Sequence, residues 1–167
     1  QNFNISVAIT DSFMEAVDQD LEWPLMDRSR QAIDNGMELN PSDPNTYEIK
    51  ARIPAKQIWQ DLVESAWKTG DPGIYFIDEA NRHNPTPHLG HLDSTNPCGE
   101  VPLLAHEACN LGSINLALFV EEEEVNYDAL TEITQKATRF LENVVTVNTF
   151  PVQEVKDAVN ATRKIGL

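Results

Sequence analysis

The chain has 167 residues, with 27 acidic against 12 basic side chains and a formal net charge of −15. A chain of this length can bury roughly 70% of its unfolded surface, and 41% hydrophobic residues is too apolar a composition for disorder. The acidic balance argues against a nucleic-acid surface, which needs clustered Lys and Arg, and no apolar run reaches the ~20 residues of a membrane span.

In chain order, Phe3, Ile5, Val7 and Ile9 alternate with Asn2, Asn4, Ser6 and Ala8, which predicts a strand over 2–9. Gln1-Asn2-Phe3-Asn4 has neither a basic start nor a long apolar run, so these residues do not read as a signal peptide. Thr10, Asp11 and Ser12 are N-cap candidates for a short helix through Phe13, Met14, Ala16 and Val17. Residues 20–52 read as a surface insertion able to form a hairpin. It holds an extended piece at Trp23-Pro24-Leu25, turns at Asn35-Gly36 and 40–45, and alternation from Tyr47 to Arg52.

Pro54 is expected at the first position of a helix whose apolar stripe is Ile58, Leu62, Val63 and Ala66, with Gly70 as its stop. Trp59 and Trp67 follow that stripe and read as packing residues. After the turn at Asp71-Pro72-Gly73, Ile74–Ile77 predicts a buried strand, and 78–95 a long loop rich in Asn, Pro and His. Short strands are expected at Val101–Leu104 and through the apolar positions from Leu111 to Phe119.

The run Glu121–Glu124 reads as a solvated turn before the longest helix, 128–147, capped by Asn126 or Asp128. Its predicted stripe is Leu130, Ile133, Ala137, Phe140, Leu141 and Val144. Phe150-Pro151 breaks it, a shorter helix covers 151–162, and Ile165-Gly166-Leu167 begins another strand. Strands alternating with helices indicate an α/β fold, and no internal domain boundary is evident.

One stretch concentrates chemistry. Asn96-Pro97-Cys98-Gly99-Glu100 places an amide, a thiol and a carboxylate on alternate residues, with Pro and Gly shaping the loop between them. Cys109, the other of two cysteines, follows in Cys109-Asn110-Leu111-Gly112-Ser113-Ile114-Asn115. Two cysteines are too few for a secreted disulfide framework and suit a reducing cytoplasm. A zinc site built from Cys98, Cys109, His83, His88, His91 and His106 lacks any compact ligand spacing. A Cys/His hydrolase lacks an identifiable histidine partner for Cys98. Without further information, two lone cysteines are ordinarily core residues.

The two motifs together resemble the large catalytic subunit of ribonucleotide reductase, and the Pro-Cys-Gly form resembles its adenosylcobalamin-dependent class II. The resemblance runs along most of the chain. It implies part of a ten-stranded α/β barrel with the active-site cysteine on an inner loop, and a chain that is one segment, 1–167, of that barrel domain. It implies reduction of ribonucleotides, diphosphates in the first instance, by thiyl-radical chemistry with adenosylcobalamin. Cys98 is then the radical carrier and Glu100 the general base. Asn96 orients the ribose hydroxyls, while Pro97 and Gly99 shape the substrate loop. Cys109 is one member of a redox dithiol whose partner lies outside this chain. The implied partners are the ribonucleotide, a thioredoxin-type or dithiol reductant, the remainder of the catalytic subunit and a second subunit copy. No membrane or nucleic-acid partner is expected. Strand-like sequence at both ends and the absent second dithiol cysteine carry an alternative expectation. The chain is then a structural or assembly piece, inactive without its flanks.

Overall fold

Thr10 sets the first turn of structure. In the computed structural model, which describes residues 3–167, its hydroxyl accepts the Phe13 amide at 3.2 Å and starts helix α1 (Asp11–Asp18). Asp11 lies in the first turn, where a carboxylate complements the helix dipole. Phe13, Ala16 and Val17, at i, i+3 and i+4, form its buried face. The strand before it is shorter than its alternation predicts: β1 spans Ser6–Ile9, and Asn2 lies outside the described residues.

The chain divides into two compact units, 1–79 and 80–167. In the first unit, β1 pairs in parallel with β4 (Gly73–Phe76), in register Ser6↔Gly73 to Ile9↔Phe76. The predicted insertion is a hairpin. β2 (Glu22–Arg28) runs antiparallel to β3 (Tyr47–Pro54), with a bulge at Leu25/Met26. Between them sits an unpredicted short helix, α2 (Arg30–Asp34), which Ser29 caps through the Ala32 amide. Its few residues carry too little periodicity to be read locally.

Helix α3 spans Ala55–Thr69. Pro54 is its N-cap and not its first residue, so the helix starts one residue later than expected, because Pro54 also ends β3. Gly70 closes the helix at φ +86°, a conformation that residues with a Cβ resist. The core of this unit is Ile9, Phe13, Ala16, Val17 and Ala55, with Trp23, Ile58, Trp59 and Leu62 packed around it. Trp59 packs as predicted, but Trp67 is 83% exposed. The rings of Phe13 and Trp23 meet edge to face, 5.1 Å between centroids. Phe13→Ala is expected to cost about 3–5 kcal/mol through lost burial and the cavity left behind. The check is a lower urea midpoint at unchanged slope.

The segment 78–95 is not a continuous loop. Helix α4 (Ile77–Arg82) opens it and strand β5 (Leu92–Thr95) closes it, leaving 83–91 irregular. The Asn81 side chain both donates to the Leu92 carbonyl and accepts the Leu92 amide, at 2.9 and 2.8 Å. That long-range pairing fixes where the strand starts.

In the second unit, β5 pairs antiparallel with β6 (Pro102–Leu104). The expected strand from Leu111 to Phe119 shrinks to β7 (Asn110–Leu111), and a 3₁₀ turn follows at Leu116–Phe119. The Asn115 side chain accepts the Ala117 amide at 3.2 Å and so caps that turn. The glutamate run is a tight turn between β8 (Val120–Glu121) and β9 (Glu124–Val125), with Glu122 and Glu123 at positive φ. Asn126 caps α5 (Tyr127–Val147) by accepting the Ala129 amide at 3.0 Å. Within α5 the buried residues are Leu141 and Val145, while Phe140, on the predicted stripe, is 67% exposed. Helix α6 is Gln153–Thr162, and β10 (Ile165–Gly166) pairs in parallel with β7.

The α/β class therefore stands. Among the described residues the strands pair two by two, and no closed barrel forms. No helix among the described residues is long and apolar enough to cross a membrane.

Candidate functional site

Residues 96–101 connect β5 to β6, and Asn96 organises them. Its amide donates to the Val101 carbonyl at 3.1 Å, and its side-chain Oδ1 accepts the Val101 amide at 2.9 Å. Its carbonyl accepts the Gly99 amide at 3.0 Å and the Thr95 hydroxyl at 2.9 Å. The bond from Gly99 back to Asn96 makes 96–99 a β-turn, with Pro97 at the second position, which its ring pre-sets, and Gly99 at the fourth. Gly99 sits at φ +88°, and a Cβ built there would meet nothing within 4 Å. Strain, not crowding, selects glycine here.

Asn96 is thus a buried loop closure, 8% exposed, and this use of its Oδ1 was not legible in the sequence. Cys98 is a free, exposed thiol at the tip, and Glu100 is exposed beside it. The turn holds thiol and carboxylate on one short arc.

Cys109 is a free, half-buried thiol just before β7. Burial pushes its thiol up, the Glu100 carboxylate adds to the rise, Lys164 opposes it and Glu107 reinforces it. The influence of Glu100 on Cys109 brings the two motifs into one electrostatic neighbourhood. Among the described residues, no three His, Cys, Asp or Glu side chains gather to hold a metal. A pocket of about 380 Å³ opens near Glu107, lined in part by His91, Asp93, Asp157 and Thr162, but Asn96, Cys98, Glu100 and Cys109 do not line it.

Two residues of this neighbourhood carried no sequence signal. Lys164 Nζ donates to Glu107 Oε2 at 2.5 Å and to the Pro102 carbonyl at 2.9 Å. Glu107 Oε2 also accepts the Leu104 amide at 2.5 Å. The Glu107 side chain is 0% exposed and that of Lys164 14%. Burial pushes the Glu107 carboxyl up, yet hydrogen bonds from Lys164, Thr162 and the Leu104 amide outweigh it and hold the carboxyl below its usual range. The partners lie 57 residues apart, so no local pattern links them.

The family model for "Ribonucleotide reductase, barrel domain" matches residues 1–167. The chain is 45% identical over 167 residues to the vitamin B12-dependent ribonucleoside-diphosphate reductase of Thermoplasma acidophilum, covering 99% of this chain and 20% of that protein. It is 43% identical over 166 residues to the protein of the same name from Mycobacterium tuberculosis, covering 99% and 22%. It is 30% identical over 179 residues to the ribonucleoside-diphosphate reductase subunit alpha of Chlamydia trachomatis, covering 98% and 17%. The chain spans about a fifth of the length of the curated relatives it matches.

Proposed function

The chain belongs to the ribonucleotide reductase barrel-domain family, and on that premise we propose that it carries the thiyl-radical site of a B12-dependent ribonucleoside-diphosphate reductase. The observation that carries this reading is the turn 96–100, which presents an exposed thiol next to an exposed carboxylate on a loop that Asn96 holds shut. In this reading the turn lies on an inner loop of a ten-stranded barrel, which the rest of the subunit completes.

The exposed Cys98 sulfur suits close approach by a sugar and by a bulky cofactor. Cys98 is the residue of this chain that would meet that cofactor. Adenosylcobalamin, when bound, would supply by homolysis the radical that the Cys98 sulfur carries. The Cys98 sulfur then takes the 3′ hydrogen of the ribose, a nearly balanced exchange because the S–H and ribose C–H bonds are close in strength. Glu100 accepts the 3′-hydroxyl proton, the 2′-hydroxyl takes a proton from the Cys109 dithiol and leaves as water, and Cys98 returns its hydrogen to C3′ at the end. A general base must lie within hydrogen-bond reach of the proton it takes, and a two-residue offset on a tight turn supplies that reach. Asn96 Oδ1 is committed to Val101, so its NH₂ group is the donor available to the ribose hydroxyls.

Cys109 and a second thiol from elsewhere in the subunit supply the two electrons and two hydrogens. The ribose C2′–OH becomes C2′–H, one water leaves, and the dithiol becomes a disulfide. A thioredoxin-type protein or a small dithiol restores it. Cys98 is the only other cysteine in these 167 residues and is occupied as radical carrier. The isolated chain is therefore a piece that works only within the complete subunit, itself paired with a second copy.

The test supplies the full-length subunit with adenosylcobalamin, dithiothreitol and either a ribonucleoside diphosphate or the matching triphosphate. The expected product is the 2′-deoxynucleoside diphosphate, with the triphosphate the poorer substrate. No deoxynucleotide from either would sink the proposal.

A further inference from the structure

Lys164 stands immediately before β10, which pairs in parallel with β7 in register Ile165↔Asn110. Lys164 and Cys109 are the residues that directly precede the first pair of that ladder. Its ammonium reaches the carbonyl of Pro102, two residues beyond Glu100, and the carboxylate of Glu107, two residues before Cys109. One cation therefore ties the strand leaving the Cys98 turn to the segment entering Cys109. A buried ion pair is often replaceable by apolar side chains at no loss, so stability alone does not require one here. The Glu107 side chain is fully buried, and the pair uses the backbone on both sides of the site.

We propose that Lys164 and Glu107 are positioning residues that clamp the Cys109 thiol against the Cys98–Glu100 turn for the disulfide-forming half of the reaction. This rests on the reductase reading above. The clamp acts on the transfer of reducing equivalents and not on hydrogen abstraction, because neither residue lies in the turn itself. The charge of Lys164 also opposes the upward push on the Cys109 thiol.

The experiment compares Lys164→Met, Lys164→Arg, the neutral pair Glu107→Gln/Lys164→Met, and Cys98→Ser in the full-length subunit. Three quantities are read: release of a 3′ hydrogen label from the ribose into water, dithiol-driven deoxynucleotide formation, and the pH midpoint of Cys109 alkylation followed by peptide mass spectrometry. Lys164→Met is expected to lower deoxynucleotide formation about 10²-fold, the scale of a small misplacement of a reacting group. Label release should stay within about threefold of wild type, well short of a tenfold rate step. The alkylation midpoint should move up, because the remaining Glu107 charge disfavours the thiolate and no cation offsets it.

Lys164→Arg keeps charge and reach and should recover most of the product. The neutral pair leaves no unpaired buried charge, so it should melt near wild type yet still form little product. Wild-type product formation by the neutral pair overturns the clamp, as does parallel loss of label release and product in Lys164→Met. Cys98→Ser separates the two levels. If that variant still makes product, the reductase reading itself fails. If it is dead while Lys164→Met turns over normally, only the clamp fails.

Discussion

Cys98→Ser in the full-length subunit is expected to abolish both release of the 3′ hydrogen label and deoxynucleotide formation, by about 10⁴-fold or more, as when a residue that forms the reacting bond is removed. The reason is bond strength and not size. Serine fits the same turn position, and the Asn96 closure with Val101 does not involve the Cys98 side chain. A serine O–H bond is far stronger than a ribose C–H bond, so its hydrogen cannot be drawn off at a useful rate. The thiol is exposed, so the substitution buries no polar group and should leave the melting temperature unchanged within about 0.5 kcal/mol of stability. An unfolded variant would be uninformative about chemistry, which makes that melting measurement the necessary companion to the assay. A folded Cys98→Ser enzyme that turns over within roughly tenfold of wild type would remove Cys98 from the mechanism.

Cys109→Ser should divide the reaction. Label release from the 3′ position continues, because Cys98 and Glu100 remain, while multiple turnover with dithiothreitol falls to background. Reduction needs two electrons, a lone thiol cannot close to a disulfide, and serine forms none. Cys109 is half-buried and its thiol is raised by burial and by the charges of Glu100 and Glu107. It therefore remains protonated at neutral pH until substrate chemistry draws on it, which suits a hydrogen donor better than a resting thiolate. Sustained turnover of Cys109→Ser would mean that the reducing pair lies elsewhere. Loss of label release together with turnover would mean that Cys109 shapes the turn instead of feeding it electrons.

The turn that carries the candidate site was legible in the sequence because its parts are contiguous. Asn96, Cys98 and Glu100 share one turn whose Pro and Gly are themselves turn signals, and Cys109 follows closely. The hairpin, read over 20–52 and found over 22–54, was legible for the same reason, and so were the caps, narrowed to Thr10, Asp11 or Ser12 and to Asn126 or Asp128, of which Thr10 and Asn126 serve. Helices α2 and α4, each a turn or two long, were not, because so short a helix shows no reliable period. Strand β7 was overestimated. Apolar residues from Leu111 to Phe119 suggest a strand, but Asn115 caps a 3₁₀ turn and leaves Leu116 and Leu118 exposed.

The sequence by itself determined the α/β class, the order of most elements, the turn that presents Cys98 and Glu100, and the family. Only the tertiary structure decided which face of α5 is buried, that Asn96 Oδ1 is held by Val101, and that Lys164 joins Pro102 to Glu107. The physical reason is range. Caps, turns and alternation are set by residues a few positions apart. A buried ion pair between positions 107 and 164 exists only because β10 lies beside β7, and that pairing follows from packing over the whole unit.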